Sequence, residues 1–132
     1  MIYVIFSKEV RPYISAVFSS TSDAESYFEL FPKEYRDKSH IEQINHEYPV
    51  YLTEDINGFN FHTQKEIEEL LNNIQITKES DDFCYTNLYR ITRDFSSKYP
   101  GKDAMGFLQH WHINNNHLSL VKKSGIEALF NN

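Results

Sequence analysis

Apolar and polar residues alternate with a period of two at the start of the chain. Ile2 to Ser7 is one such β-rich run. Tyr13 to Ser19 is a second, with Tyr13, Ser15, Val17 and Ser19 on one face and Ile14, Ala16 and Phe18 on the other. The polar stretch between them, Lys8 to Pro12, contains a proline and predicts the turn of a hairpin. The period then changes. Ser22-Asp23-Ala24-Glu25 has the form of a capping box, in which serine and glutamate satisfy each other's free backbone donors. Ala24, Tyr27, Phe28 and Phe31 follow at helical spacing until Pro32 stops the run. Lys33 to Lys38 is charged and predicts a turn or a short irregular helix.

Two further strands are predicted at His40 to Asn45 and Tyr48 to Glu54, with Pro49 bending the chain between them. Asn57-Gly58 is a hairpin signal, and Phe59 and Phe61 alternate with Asn60 and His62 beyond it. Thr63 and Glu66 form a second capping box. Ile67, Leu70, Leu71 and Ile74 then place one apolar stripe on a helix, with Lys65, Glu69 and Asn72 towards water. Phe83 to Phe95 reads as a long strand with Phe83, Tyr85, Tyr89, Ile91 and Phe95 on one side, interrupted at Asn87 and Arg93. Tyr99-Pro-Gly101 marks a break, after which Asp103 caps a third helix containing Met105, Phe107, Leu108 and Trp111. Asn114 to Asn116 is a predicted loop. Leu118 to Phe130 reads as a strand through Leu118, Leu120 and Val121, then a turn at Gly125 and a last helical turn. The expected fold is α+β: one domain over residues 1–132, a mostly antiparallel sheet with about three packed helices.

Composition narrows the class. Hydrophobic residues make up 40% of the chain and charged residues 24%, which belongs to a globular domain and not to a disordered chain. The single cysteine, Cys84, cannot form an internal disulfide, so nothing points to an oxidising compartment. The apolar start is too short for a signal peptide, and no run approaches the roughly 20 residues of a membrane span. A cytoplasmic location is expected. The net charge of −6 is unevenly spread: His40 to Asp82 holds ten acidic and two basic residues, a balance of −8, while the remainder nets +2. An acidic field repels phosphates and attracts basic partners.

Catalytic signatures are missing. There is no GxGxxG, P-loop or GxSxG segment. Asp81 and Asp82 beside Cys84 would raise a thiol pKa, so a structural cysteine is expected there. The carboxylate pairs Glu54/Asp55 and Asp81/Asp82 could hold a cation or serve acid–base chemistry, but adjacent carboxylates are common in turns, and turn residues are expected. His110, His112 and His117 are the best metal candidates, but a predicted helix turns His110 and His112 apart. Arg90, Arg93, Lys98 and Lys102 lie among Tyr85, Tyr89 and Tyr99, a pattern compatible with single-stranded nucleic acid, but Arg90 and Arg93 have opposite strand parity and the chain is acidic. No cofactor, no nucleic acid and no membrane partner are expected.

The first third resembles the hairpin–helix–strand modules of small bacterial proteins, including immunity proteins encoded beside toxins. The matching segments are Ile2-Tyr-Val-Ile-Phe6, Val17-Phe-Ser-Ser20, Ser22-Asp-Ala-Glu25 and the strand around His40 to Asn45. The resemblance implies a small acidic cytosolic inhibitor of a cognate toxin domain, of the kind found in contact-dependent systems. A nuclease toxin is basic where it grips phosphate, so an acidic surface can steer to it and block it. The expected contacts are Glu42, Glu47, Glu54, Asp55, Glu69, Asp81 and Asp82, with Tyr48 and Tyr51 as aromatic anchors. The alternatives are a small metal-dependent enzyme using the His110, His112 and His117 region, and a phage or structural adaptor.

Overall fold

The opening hairpin forms as its alternation predicts. A computed structural model of the chain describes residues 1–55, 58–74, 86–95 and 109–130. In it β1 (Ile2–Lys8) pairs antiparallel with β2 (Pro12–Phe18), and β3 (Ser39–Ile44) returns antiparallel along the other side of β1. The order in this first sheet is β2-β1-β3. Between β2 and β3 lie α1 (Thr21–Glu29) and the single turn α2 (Lys33–Arg36). The helical face of α1 is the predicted one: Ala24, Tyr27 and Phe31 are buried. Its cap is not. Ser20, not Ser22, is extended at φ −125° and ψ 131°, and its side chain accepts the Asp23 N–H. The helix therefore starts directly off the end of β2, and Glu25 has no capping role.

A second sheet, not foreseen as separate, contains β4 (Val50–Asp55), β5 (Gly58–His62), β6 (Thr86–Ile91) and β7 (Gln109–Ile113) in the order β5-β4-β6-β7. Every pairing in it is antiparallel. The physical sign of two sheets was present in β2. Ile14 to Phe18 are all buried, so apolar residues of both parities need cover on both faces. One face is covered by α1. The other meets the second sheet, where the Phe6 ring contacts Phe59 and Phe61 at centroid distances of 6.4 and 6.1 Å. Val4, Ile5, Val17, Val50, Leu52 and Ile91 lie in the same continuous core. Each fully buried aliphatic side chain of this kind contributes roughly 1.5–3 kcal/mol.

The opposite face of the second sheet carries Tyr51, Leu88 and Ile113, and packs on α3 (Gln64–Asn72), α4 (Asn115–Ser124) and a 3-10 turn at Ile126–Leu129. The layers thus run helix, sheet, sheet, helix. The Thr63–Glu66 capping box of α3 forms as predicted, with bonds of 2.9 and 3.1 Å. We expect Thr63→Ala to cost about 1 kcal/mol in urea unfolding; an unchanged midpoint would remove the box from the account. Ile67 and Leu71 are buried, but Leu70 is 44% exposed, so the predicted stripe is narrower than drawn.

The C-terminal third differs most from expectation. Gln109–Ile113 is a strand, not the end of a helix: Ile113 is buried, Trp111 half-buried, and His110 and His112 exposed, a period of two that only an extended chain gives. Asn114 is no loop residue. It caps α4, accepting the His117 N–H at 3.0 Å while its own N–H donates to His117 Nδ1. Leu118 and Val121 are then buried three apart on a helix, so no strand runs through them. The predicted turn at Gly125 and final helical turn are present. Gly125 adopts φ +87°, and Glu68 Oε1 accepts the next N–H, from Ile126, at 3.0 Å. Asn87 lies inside β6 and does not interrupt it, and Phe95 lies beyond that strand, donating its N–H to Val17 O at 2.8 Å. Phe83, Cys84 and Tyr85, and the predicted helical residues Asp103 to Leu108, lie outside the described residues.

Candidate functional site

The expected acidic contacts are dispersed through the layers. Glu42 is exposed on β3 and borders a cleft of about 270 Å³ that also includes Phe6, Lys8, Lys38, His40 and Phe59. Glu47, 89% exposed, follows β3 and sits 3.7 Å from the N-terminal amine. Glu69 is exposed on α3, in the opposite outer layer. Glu54 is half-buried and already engaged, accepting from Asn87 Nδ2 at 2.8 Å and the Tyr89 hydroxyl at 3.0 Å. Asp55 ends β4, and Asp81 and Asp82 lie outside the described residues.

The two tyrosines separate. Tyr48 is half-buried and lines a groove of about 400 Å³ together with Ile2, Ser19 and Glu47. Its hydroxyl donates to Asp94 Oδ1 at 2.7 Å, and Ser19 Oγ donates to Asp94 Oδ2 at 3.1 Å. Burial, then the Asp94 bond and charge, hold the Tyr48 phenol well above its ordinary range, so it stays a neutral donor. The groove therefore combines an exposed carboxylate, Glu47, with Tyr48 and Ser19, whose hydroxyls are both held by Asp94. Asp94 was not foreseen, because its partners Ser19 and Tyr48 are remote in sequence.

Tyr51 is fully buried and cannot serve as a surface anchor. Strand parity explains this: Tyr51 points into the second core, away from Val50 and Leu52, which face the first sheet. Its hydroxyl donates to Glu127 Oε1 at 2.5 Å, while Arg90 Nη1 donates to Glu127 Oε2 at 2.6 Å. Arg90 Nε also donates to Gln109 Oε1 at 2.7 Å, and the guanidinium carbon lies 4.6 Å from the centre of the Phe130 ring. The Tyr51 bond, followed by Arg90, holds the Glu127 carboxyl below its usual range against the effect of burial. Burial, and then Glu127, push the Tyr51 phenol up to about 12. Arg90 is thus committed to the fold, which weakens the basic–aromatic nucleic-acid reading. Lys98, Lys102 and Tyr99 lie outside the described residues.

The predicted histidine trio is split. His110 and His112 share the exposed face of β7, with ring centres 4.7 Å apart. His117 lies elsewhere, capping α4 and meeting Trp111 edge-on at 5.3 Å. Among the described residues no group of three or more His, Cys, Asp or Glu is placed to hold a metal ion.

Two histidines are held below their ordinary range. For His62 the main cause is burial, reinforced by His46 and opposed by Glu66. For His110 it is burial and then His112, opposed by Glu54. A depressed histidine contributes stability that is full above the unfolded value of about 6.5 and lost as pH falls through the folded value. The urea midpoint is therefore expected to drop on acidification from neutral pH. His62→Gln, which keeps a polar partner for Thr53, should flatten that drop; equal slopes in both proteins would remove His62 as a carrier.

No helix among the described residues is long and apolar enough to cross a membrane. No family model matches the chain, and no curated protein or solved structure matches it either.

Proposed function

We propose that the chain is a cytoplasmic protein-binding inhibitor of the immunity type, which engages a basic partner such as a toxin domain through the surface around Glu42, Glu47 and Tyr48. The observation that supports this reading most is the groove beside β3. Glu47, Tyr48 and Ser19 line it, and the hydroxyls of Tyr48 and Ser19 are anchored on Asp94. A lysine or arginine entering there would meet the exposed Glu47 carboxylate beside the aromatic side chain of Tyr48. The charge favours the same partner, since the chain nets −6.

The reading is tested by affinity capture from the native host on immobilised protein. A single stoichiometric basic protein, released as salt rises, is the expected result. Capture that is indifferent to salt, or equal on an E42K/E47K column, would defeat the acidic-surface mechanism.

A further inference from the structure

On the second sheet, the face that packs against the first sheet runs out at its edge strand β7. There His110 and His112 project side by side into solvent. Across the sheet, Asn87 of β6 lies directly opposite His112, and Glu54 of β4 directly opposite Asn87. These residues form an oriented chain of hydrogen bonds. Asn87 Nδ2 donates to Glu54 Oε1 at 2.8 Å, which fixes the amide, because an ionised carboxylate only accepts. Asn87 Oδ1 is then left to accept, so the partner at 2.9 Å, His110 Nε2, must carry the proton. The Tyr89 ring stacks on His110 at 4.5 Å and 13°, and its hydroxyl donates to Glu54 at 3.0 Å. One imidazole is therefore held in the Nε2–H tautomer, with the ring of His112 centred 4.7 Å from it.

We infer that His110 Nδ1 and a ring nitrogen of His112 form a two-imidazole site for a borderline divalent transition ion such as zinc, with water completing the coordination. Two imidazoles bound at about 2.1 Å from one ion have ring centres roughly 4.6 Å apart at a right-angle ligand geometry and roughly 5.3 Å apart at the tetrahedral angle. The observed 4.7 Å lies in that range. The Glu54–Asn87–His110 chain is the outer support that orients a metal-bound histidine and sets its tautomer. Neutral imidazole suits zinc, nickel and copper. The other close pair, His46 and His62, lacks this design: His62 Nε2 is bonded to Thr53 at 2.9 Å and the nearby Glu66 serves the α3 cap.

The test is calorimetric titration of tag-free protein with zinc chloride, at pH 7.5 and pH 5.5. One ion per chain should bind in the micromolar range, more weakly at the lower pH, as ligand protonation requires. His110→Ala and His112→Ala should each weaken binding at least tenfold, and His62→Gln should leave it unchanged. Asn87→Ala should cost about tenfold and also shift the nitrogen-15 resonances of His110 away from the Nε2–H pattern, a change that a merely structural role would not produce. Binding only at millimolar zinc, or binding lost in His62→Gln and kept in His110→Ala, would overturn the inference.

Discussion

Tyr51→Ala should destabilise the fold by about 3–5 kcal/mol, the range for removing a buried aromatic ring. Tyr51 is 0% exposed, and its ring packs on Phe130 at 6.0 Å. Truncation also removes one of the two donors to Glu127 and leaves that carboxylate to Arg90 alone. Tyr51→Phe separates these effects. It keeps the ring and loses only a charge-assisted hydrogen bond, so a cost of roughly 1.5–3 kcal/mol is expected. Urea unfolding followed by circular dichroism measures both. If Tyr51→Ala stays as stable as the wild type and only partner binding changes, the residue is a surface anchor and the described packing is wrong.

Tyr51 also marks where reading the sequence stops working. Its strand was predicted and so was the α3 box, because both rest on local chemistry: alternation, a threonine cap and a glutamate three residues on. Which face of that strand would be buried depends on what covers it. Both faces are covered, one by the first sheet and one by α3 and α4, and no local pattern records that. The missed α4 has a similar cause. Its box uses Asn114 with His117 in the position usually held by glutamate or glutamine, so the usual signature is absent. Trp111 and its flanking histidines looked helical because Met105, Phe107 and Leu108 precede them at mixed spacing; the alternation begins only at Gln109. Of the candidate surface, Glu47 and Tyr48 were legible as an acidic residue and a ring beside a proline. Asp94 and the Asn87–His110 support were not, since each arises from contacts between strands or loops far apart in sequence.

Reversing Glu42 and Glu47 should slow association with the basic partner roughly tenfold at low salt, with a smaller effect on dissociation, because exposed charges act mainly on the encounter. Glu69→Lys provides the comparison. Glu69 lies on α3, in the opposite outer layer, and reversing it changes the net charge by two units without touching the groove. A general attraction between an acidic and a basic protein would respond in proportion to the charge reversed, so E69K, a change of two, would show about half the effect of the double reversal, a change of four. Docking on the surface that carries Glu42 and the Glu47 groove would respond mainly to those two residues, and the salt dependence of the rate would flatten with them.

The most direct measurement is therefore the association rate of the captured partner with wild type, E42K/E47K and E69K over a series of salt concentrations. A steep salt dependence is expected for wild type and E69K, and a slow, shallow one for E42K/E47K. Rates that are the same in all three proteins, or slowed only in E69K, would contradict recognition through the Glu47–Tyr48 groove.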